Sequence, residues 1–235
     1  MINFTLSAAD RTALDRPIWS ALQSGHQQFA IGDELACRYP TDVAPFAAMR
    51  EASPQAYAAL HALLPPGHTA FLCTTEPLAP PASLSVQFAA SVSQMVATRL
   101  PEAPSDRHEF ITLTAEDVPD MLALTALAKP GPFAARTFEL GTYLGVRTNG
   151  QLVAMAGERM RLAHQVEVSA VCVHPEHRGH GYARDLILTL MQRQIAQGAV
   201  PILHTYADNG PAVALYESMG FTGRQTLCFT GLKRV

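Results

Sequence analysis

The length, composition and charge of the chain exclude several classes of protein. Its 235 residues, 48% apolar and 16% charged, are enough for one or two domains with a buried core and exclude a disordered chain. The 17 basic and 20 acidic residues give a net charge of −3, and a chain without basic excess is not expected to bind nucleic acid. No basic segment followed by an apolar stretch marks a secretory signal, and no apolar run approaches a membrane span. Four widely separated cysteines favour a reducing compartment, so we expect a cytoplasmic protein.

The first 105 residues carry weak structural signals. A strand or hairpin arm is expected over 29–38 and a short strand over 70–74, and the spacing of apolar residues predicts a helix over 55–64. Apolar residues at helical intervals favour a second helix over 86–100, although its serines weaken that prediction. The proline-rich stretch 100–106 indicates a linker, which divides the chain into units 1–105 and 106–235.

The second unit has stronger signals for alternating strands and helices. Thr114, followed by Asp117 three residues later, predicts a helix start, and Asn149-Gly150 predicts a tight hairpin turn. Strands are expected over 109–113, 143–147, 151–159, 166–173, 201–206 and 226–229, and helices over 114–128, 181–197 and 211–219. This order predicts an α/β domain with a mixed sheet.

The stretch 171–184 combines an apolar strand, a glycine-containing turn and an amphipathic helix. The first amides of a helix lack intrahelical acceptors and carry the positive end of the helix dipole, so they can bind a pyrophosphate. Gly179 and Gly181 allow close backbone approach, and Arg178 and Arg184 add positive charge. The pattern is neither the dinucleotide fingerprint nor a P-loop. On the glycines alone, an ordinary strand–turn–helix connection is the favoured interpretation.

Two motifs together resemble the GNAT superfamily of N-acetyltransferases. Residues 178–183, Arg-Gly-His-Gly-Tyr-Ala, match the R-x-x-G-x-[G/A] pattern, and 209–221, Asn-Gly-Pro-Ala-Val-Ala-Leu-Tyr-Glu-Ser-Met-Gly-Phe, are similar to the second landmark. The stretch 113–145 further resembles the glycine N-acyltransferase-like branch, in which a degenerate half often precedes the working domain. The resemblance implies a GNAT-like catalytic core over 106–235, preceded by a smaller unit of uncertain role, for which such a degenerate half is one interpretation.

The resemblance also implies a role for each matching residue, with acetyl-CoA as co-substrate and no metal. Tyr216 would lie beside the thioester sulfur, and Asn209 would bond the pantetheine or phosphate region. Backbone groups of the strand would pair with the pantetheine arm, and amides of the turn would hold the pyrophosphate beside Arg178. The strand residues are Val171, Cys172 and Val173; the turn residues are Gly179, His180, Gly181, Tyr182, Ala183 and Arg184.

Transfer of an acyl group to an amine needs a neutral nucleophile and a path for its proton. Glu167, His164 and His174 are candidates for the base. For Glu167 the alternatives are a solvated strand end or a structural salt bridge with Arg159 or Arg161, and both interpretations stay open.

A phenol can donate a hydrogen bond to the leaving thiolate, which suits Tyr216; the alternative is a packing role. In a regular strand Glu167, Ser169, Val171 and Val173 share one face, and Val168, Ala170, Cys172 and His174 share the other, unless a bulge reverses this facing. No base is evident beside Cys172, so we expect direct transfer rather than an acyl-enzyme.

These features predict an acetyl-CoA-dependent N-acetyltransferase that modifies a small amine or an amino-acid-like molecule. One alternative is a non-catalytic acyl-CoA-binding or regulatory module on the same fold. Another is a protein N-terminal or lysine acetyltransferase, which acidic walls in a peptide groove would support. Histidines 174, 177 and 180 recur every third residue, but Pro175 and the glycines break the helix that would align them, so no metal site is expected.

Overall fold

The structure is a computed structural model that describes residues 4–99, 103–104 and 107–235, so most of the predicted linker over 100–106 lies outside it. The helices of the described residues are α1 (Ala8–Asp15), α2 (Pro17–Leu22), α3 (Pro54–Leu63), α4 (Val118–Ala128), α5 (Tyr182–Ala196) and α6 (Gly210–Ser218). The strands are β1 (Ile31–Gly32), β2 (Ala36–Arg38), β3 (Ala47–Met49), β4 (Thr69–Thr74), β5 (Leu84–Ala97), β6 (Ile111–Thr112), β7 (Tyr143–Thr148), β8 (Gln151–Arg161), β9 (Gln165–Val173), β10 (Val200–Tyr206) and β11 (Phe221–Arg234).

Eight of these strands form one mixed sheet in the order β4-β11-β5-β10-β9-β8-β7-β6. Strands β9 and β10 are parallel, and the other neighbours in this sheet are antiparallel. Strands β1, β2 and β3 form a separate small sheet near the amino terminus. The predicted α/β class with a mixed sheet is therefore confirmed.

Helices cover both faces of the large sheet. On one face, Leu186 and Leu190 of α5 pack with Leu203 and Phe221 of the sheet. On the other face α1 and α2 pack over β5 and β10, and α4 packs over β7 and β8. Each strand therefore alternates between two apolar layers, which fixes its register. None of the helices in the described ranges is long and apolar enough to cross a membrane.

Local sequence signals explain several element ends. Thr114 and Asp117 form the reciprocal hydrogen bonds of a capping box, after which α4 begins with Pro119 in its first turn. Lys129, in the left-handed region at φ 52°, ends that helix. Asn149 and Gly150 also adopt positive φ, as the predicted hairpin between β7 and β8 requires.

The predicted helix over 86–100 is wrong, because its described part contains the long strand β5. Residues from Val92 to Val96 pair with β10 on one side, and the whole strand pairs with β11 on the other. In this half of the strand both sheet faces are covered, so consecutive apolar residues such as Met95 and Val96 are buried in different layers. A strand that is buried on both faces does not alternate between apolar and polar residues, so its sequence lacks the usual strand pattern.

The large sheet includes strands from both sides of the predicted boundary at residue 105. Strand β5 lies between β10 and β11, and β4 pairs with the outer edge of β11. Two units, 1–105 and 106–235, remain a prediction from the sequence, as does the origin of the first as a degenerate half.

Candidate functional site

Strands β9 and β10 separate within the sheet. They pair only between Gln165–Glu167 and Val200–Ile202, yet β9 continues to Val173 and β10 to Tyr206. Beyond the paired part, the facing backbone edges have no strand partner, so their donors and acceptors are available to another extended chain. The separation opens a groove through the sheet.

A bulge in β9 changes which side chains face each layer. Ala170 has a φ of 51°, and the register with β8 shifts between Ser169 and Cys172. Val168, Val171 and Val173 therefore pack with the α5 layer, whereas Ala170 and Cys172 pack with the α4 layer. The predicted face shared by Glu167, Ser169, Val171 and Val173 is wrong, because the extra residue reverses the alternation after Ser169.

The first of two cavities in the groove, the turn cavity, has a volume of about 470 Å³. Its lining consists of Ala128, Val171, Cys172, Val173, His177, Arg178, Gly179, His180, Gly181, Tyr182, Ala183, Arg184 and Leu215. Every strand and turn residue that the resemblance assigns to coenzyme binding is in this set. The structure thus brings those residues together around one opening.

The glycine turn exposes the amino end of α5 to this cavity. Gly179 and Gly181 have φ values of 82° and 86°, which side chains disfavour, and a Cβ on Gly179 would meet no atom within 4 Å. Gly181 is the N-cap residue and supplies no side-chain acceptor to the first turn of the 15-residue helix. His108 lies against Tyr182 at 4.5 Å between ring centroids, and its Nε2 is 3.0 Å from the carbonyl oxygen of His180. The turn is therefore held in place, and the amides of Tyr182 and Ala183 at the start of α5 can donate to an anion.

The second cavity, the strand cavity, has a volume of about 300 Å³. Its lining consists of Val92, Ala128, Lys129, Pro130, Gly131, Pro132, Arg159, Val168, Ser169, Ala170, Val171, His204, Thr205, Tyr206, Asn209, Tyr216 and Phe229. Ala128 and Val171 line both cavities. The two spaces are consequently neighbouring parts of one groove, which runs from the α5 amino end to Tyr216.

Tyr216 lies on α6 and reaches the strand cavity with its ring packed 6.2 Å from that of Phe221. Burial raises the pKa of the phenol, so the hydroxyl stays protonated at neutral pH. No hydrogen bond to this hydroxyl is found among the described residues. Asn209 caps α6, with its Oδ1 accepting from the Ala212 amide at 3.3 Å. Asn209 therefore has a structural role as the cap of α6 and also lines the strand cavity.

Glu167 forms the salt bridge with Arg159 that the sequence left open. Its oxygens accept from Arg159 Nη2 and Nε at 2.7 and 2.9 Å and from His204 Nδ1 at 2.8 Å. Burial opposes ionisation, but the Arg159 charge and these hydrogen bonds outweigh it and lower the pKa of Glu167 to about 2. A fully buried, weakly basic carboxylate that does not line either cavity is better suited to positioning Arg159 and His204 than to accepting a proton.

The remaining base candidates and Cys172 have other surroundings. His164 pairs with Asp10 at the opposite end of β9 from the glycine turn. His174 accepts a hydrogen bond from the Glu176 amide. Contrary to the predicted alternation, the bulge puts Cys172 in the α4 layer, where burial raises the pKa of its thiol to about 12. That thiol is not an activated nucleophile. In the described ranges no three His, Cys, Asp or Glu side chains are grouped to hold a metal ion.

His204 lines the strand cavity, although the sequence does not predict it there, whereas Lys129 begins the loop 129–138 that the resemblance to the family assigns to the acceptor. His204 accepts from Gln94 Nε2 at 3.0 Å while donating to Glu167, so both ring nitrogens are engaged. The sequence signal that could have indicated it is a histidine, between Leu203 and Thr205, in a largely apolar strand. Arg159 reaches the cavity through the register of β8, which the sequence does not show.

Comparison with known proteins identifies the family. A family model described as FR47-like protein matches residues 143–230. A solved structure from Novosphingobium aromaticivorans, described as an acetyltransferase from the GNAT family, is 38% identical, covers 94% of this chain and 98% of its own, and superposes with a TM-score of 0.87. The chain belongs to the GNAT family of acetyltransferases.

Two curated relatives share part of the chain. An uncharacterised protein from Mycobacterium leprae is 34% identical over 205 residues, which are 77% of this chain and 54% of that protein. The N-alpha-acetyltransferase RimI of Mycobacterium tuberculosis is 38% identical over 100 residues, 39% of this chain and 61% of that protein. The chain thus spans little more than half the length of the curated relatives it matches.

Proposed function

We propose that this GNAT-family chain is an N-acetyltransferase that uses acetyl-CoA to modify the amine of a small or amino-acid-like molecule. The observation that carries the proposal is the continuous groove that joins the amino end of α5 to Tyr216 through Ala128 and Val171. A phosphorylated, extended thioester fits this groove, because one end offers helix amides and the middle offers an unpaired strand edge.

The residues present fit the coenzyme. Amides from Gly179 to Arg184 would hold the pyrophosphate beside Arg178, and backbone groups of 171–173 would pair with the pantetheine arm. Acetyl-CoA supplies an activated acetyl thioester. Asn209 lies on the wall near Tyr216, where its amide can bond the same arm. Further assignment to the glycine N-acyltransferase-like branch rests only on the sequence resemblance.

Tyr216 assists departure of the thiolate. In the reaction a neutral amine of the acceptor forms a C–N bond to the acetyl carbon as the C–S bond breaks. The amine proton passes to water, and Tyr216 donates a hydrogen bond to the departing sulfur. Because partial burial raises the pKa of the phenol and keeps it protonated, it can donate at neutral pH.

The strand cavity contains no carboxylate among its described lining residues. An amine that is already partly neutral makes a strong base unnecessary. An α-amine with a pKa near ~8 is several per cent neutral at pH 7, whereas a lysine amine near ~10.4 is about 1 in 2,000 neutral. The lining therefore favours an α-amino acceptor over a lysine side chain, with water rather than Glu167 receiving the proton.

Acetylation of protein amino termini is a second candidate, favoured by the 38% identity to the mycobacterial RimI segment. It uses the same kind of α-amine. A non-catalytic acyl-CoA-binding module is less consistent with a phenol on the wall of the strand cavity.

A thiol-release assay tests the proposed function. Purified protein is incubated with acetyl-CoA and a panel of free amino acids, simple amines and amino-terminal peptides, and released thiol and acetylated product are measured. We expect thiol release that depends on an α-amine, with free amino acids ahead of peptides. Absence of both amine-dependent release and a thermal shift with acetyl-CoA would remove the proposal.

A further inference from the structure

The guanidinium group of Arg159 is oriented toward the strand cavity. Its Nε and Nη2 each donate one hydrogen bond to Glu167, and its central carbon lies 5.1 Å from the ring centroid of Phe46. These contacts fix both the edge and the plane of the group. The side chain is 13% exposed and lines the cavity.

Three N–H donors of this guanidinium remain without an acceptor among the described residues. Arginine has five donors, and Glu167 takes two of them. The remaining three, two on Nη1 and one on Nη2, form the outer end of the fork. A Cβ built on Gly131 would lie 3.9 Å from Nη1, so this end lies beside the loop that follows α4. Unpaired donors on a partly buried, permanent cation are costly unless a ligand accepts from them.

The rest of the cavity favours an anionic ligand with an apolar part. Lys129 adds a second cation to the wall, and none of the described lining residues is acidic. Val92 and Phe229 provide apolar surface, and Phe229 is held by stacking on Phe71 at 5.1 Å between centroids. A cationic acceptor such as a polyamine would meet no compensating carboxylate here.

We infer that Arg159 is the specificity-determining residue of the acceptor site and binds the carboxylate of an amino-acid-like acceptor through the outer end of its guanidinium. The acceptor amine then points toward Tyr216 and Val171, and an apolar substituent rests against Val92 and Phe229. This inference rests on the proposed function, because it specifies the acceptor of the same transfer. Glu167 and Phe46 act through Arg159 as positioning residues.

The test compares each amino acid with its carboxamide as acceptors for the 235-residue chain. For the best apolar amino acid, kcat/KM should exceed that of the matching amide by roughly 10- to 100-fold, because charge-assisted hydrogen bonds are lost. The difference should lie mainly in KM. The variant Arg159→Lys keeps a positive charge beside Glu167 but loses the planar fork, and it should reduce the acid-to-amide ratio at least tenfold.

Arg161→Lys is the matched control, since Arg161 lies two residues along the same strand and pairs instead with Glu158 at 2.9 Å. It should leave the acid-to-amide ratio at the wild-type value, and Lys129→Ala should lower that ratio less than Arg159→Lys does. Circular dichroism and a thermal shift with CoA show that each variant is folded.

Equal use of acids and amides by the wild-type protein would overturn the inference while leaving amine acetylation intact. So would a ratio that Arg159→Lys leaves unchanged, or a preference for amines that lack a carboxylate. Failure of the proposed function looks different, because neither acids nor amides would then release thiol.

Discussion

Glu167 and Arg159 lie on neighbouring strands and are joined by two hydrogen bonds, at 2.7 and 2.9 Å, with Glu167 fully buried and Arg159 at the cavity wall. A buried pair of this kind is worth little compared with an apolar pair, but removing one partner leaves an uncompensated charge. The pair has a functional interpretation, because Glu167 orients the Arg159 guanidinium toward the strand cavity.

Replacing Glu167 by Gln separates a positioning role from a base. We expect Glu167→Gln to lower the free energy of unfolding by about 3 kcal/mol, because Arg159 loses its counter-ion. Activity should fall, but its pH dependence should keep the wild-type shape, since a carboxyl with a pKa of about 2 does not titrate near neutrality. Urea unfolding and a pH–rate series measure the two effects.

The exposed pair Arg136–Glu139 supplies the control, and Glu139→Gln should cost less than about 1 kcal/mol. The lowered pKa of Glu167 also makes the folded state less stable at low pH. Its contribution is complete above the ordinary value of 4.5 and is lost as pH falls toward about 2. If the rate of Glu167→Gln no longer fell at low pH as the wild-type rate does, Glu167 would be the base after all.

Removing the Tyr216 hydroxyl should affect turnover more than coenzyme binding. We expect Tyr216→Phe to reduce kcat by roughly 10- to 100-fold, because the leaving sulfur loses a hydrogen-bond donor, while CoA affinity stays nearly unchanged. Steady-state kinetics and thermal shift with CoA measure these quantities. Tyr57→Phe, in the apolar cluster around α3, controls for loss of a tyrosine hydroxyl. Wild-type turnover in Tyr216→Phe would exclude the hydroxyl from the reaction.

A side chain at Gly181 should block coenzyme binding. CoA at ~100 times its dissociation constant adds about 2.7 kcal/mol to stability, which predicts a rise in the wild-type melting temperature of roughly 5–10 °C for a chain of this size. Gly181→Val should abolish most of this rise, because the added atoms occupy the turn cavity. Differential scanning fluorimetry gives the comparison.

Gly150→Val is matched for backbone strain, since Gly150 has a φ of 84° and open surroundings but lies in the β7–β8 hairpin. It should lower the starting melting temperature and retain the full rise with CoA. An unchanged CoA shift in Gly181→Val would mean that the coenzyme does not use this turn.

His26 makes the free energy of unfolding depend on pH in the mildly acidic range. It is 1% exposed, its ring nitrogens contact the Tyr39 hydroxyl at 2.9 Å and the Leu140 carbonyl at 3.0 Å, and burial lowers its pKa from 6.5 to about 4. Between these values the unfolded chain binds a proton that the folded chain does not, so stability falls as pH falls. We expect a loss of up to about 3 kcal/mol between pH 6.5 and 4.

Chemical denaturation at several pH values measures this loss. His26→Gln should flatten the slope over that interval while lowering stability at neutral pH. A wild-type slope that persists in the variant would assign the pH dependence to other groups.

The second half of the chain was predictable because its signals are local. The capping box at Thr114, the Asn149-Gly150 turn and the glycine motif at 179–181 each act within a few residues, and the structure confirms the elements they predicted. The same motif led to the GNAT family, which the comparisons confirm. The roles of the individual site residues stay predictions.

The features that sequence reasoning missed depend on distant pairing. Strand β5 was predicted as a helix because burial in both layers hides its alternation. The bulge at Ala170 has no glycine to mark its positive φ, so the facing of Val171 and Cys172 could not be derived. His204 acquires its role only when β10 aligns beside β9 and brings it to Glu167.

The central place of β5 has a consequence for how the polypeptide assembles on the ribosome. This strand is synthesised more than a hundred residues before its two neighbours: β10 pairs with it from Val92 to Val96, and β11 pairs with it from Leu84 to Ala97. During translation β5 cannot complete its pairing until β11 has been synthesised. Contacts between such distant parts of the chain slow folding and expose the nascent chain to aggregation. Residues 106–235 expressed alone would lack the strand that lies between β10 and β11 in the large sheet.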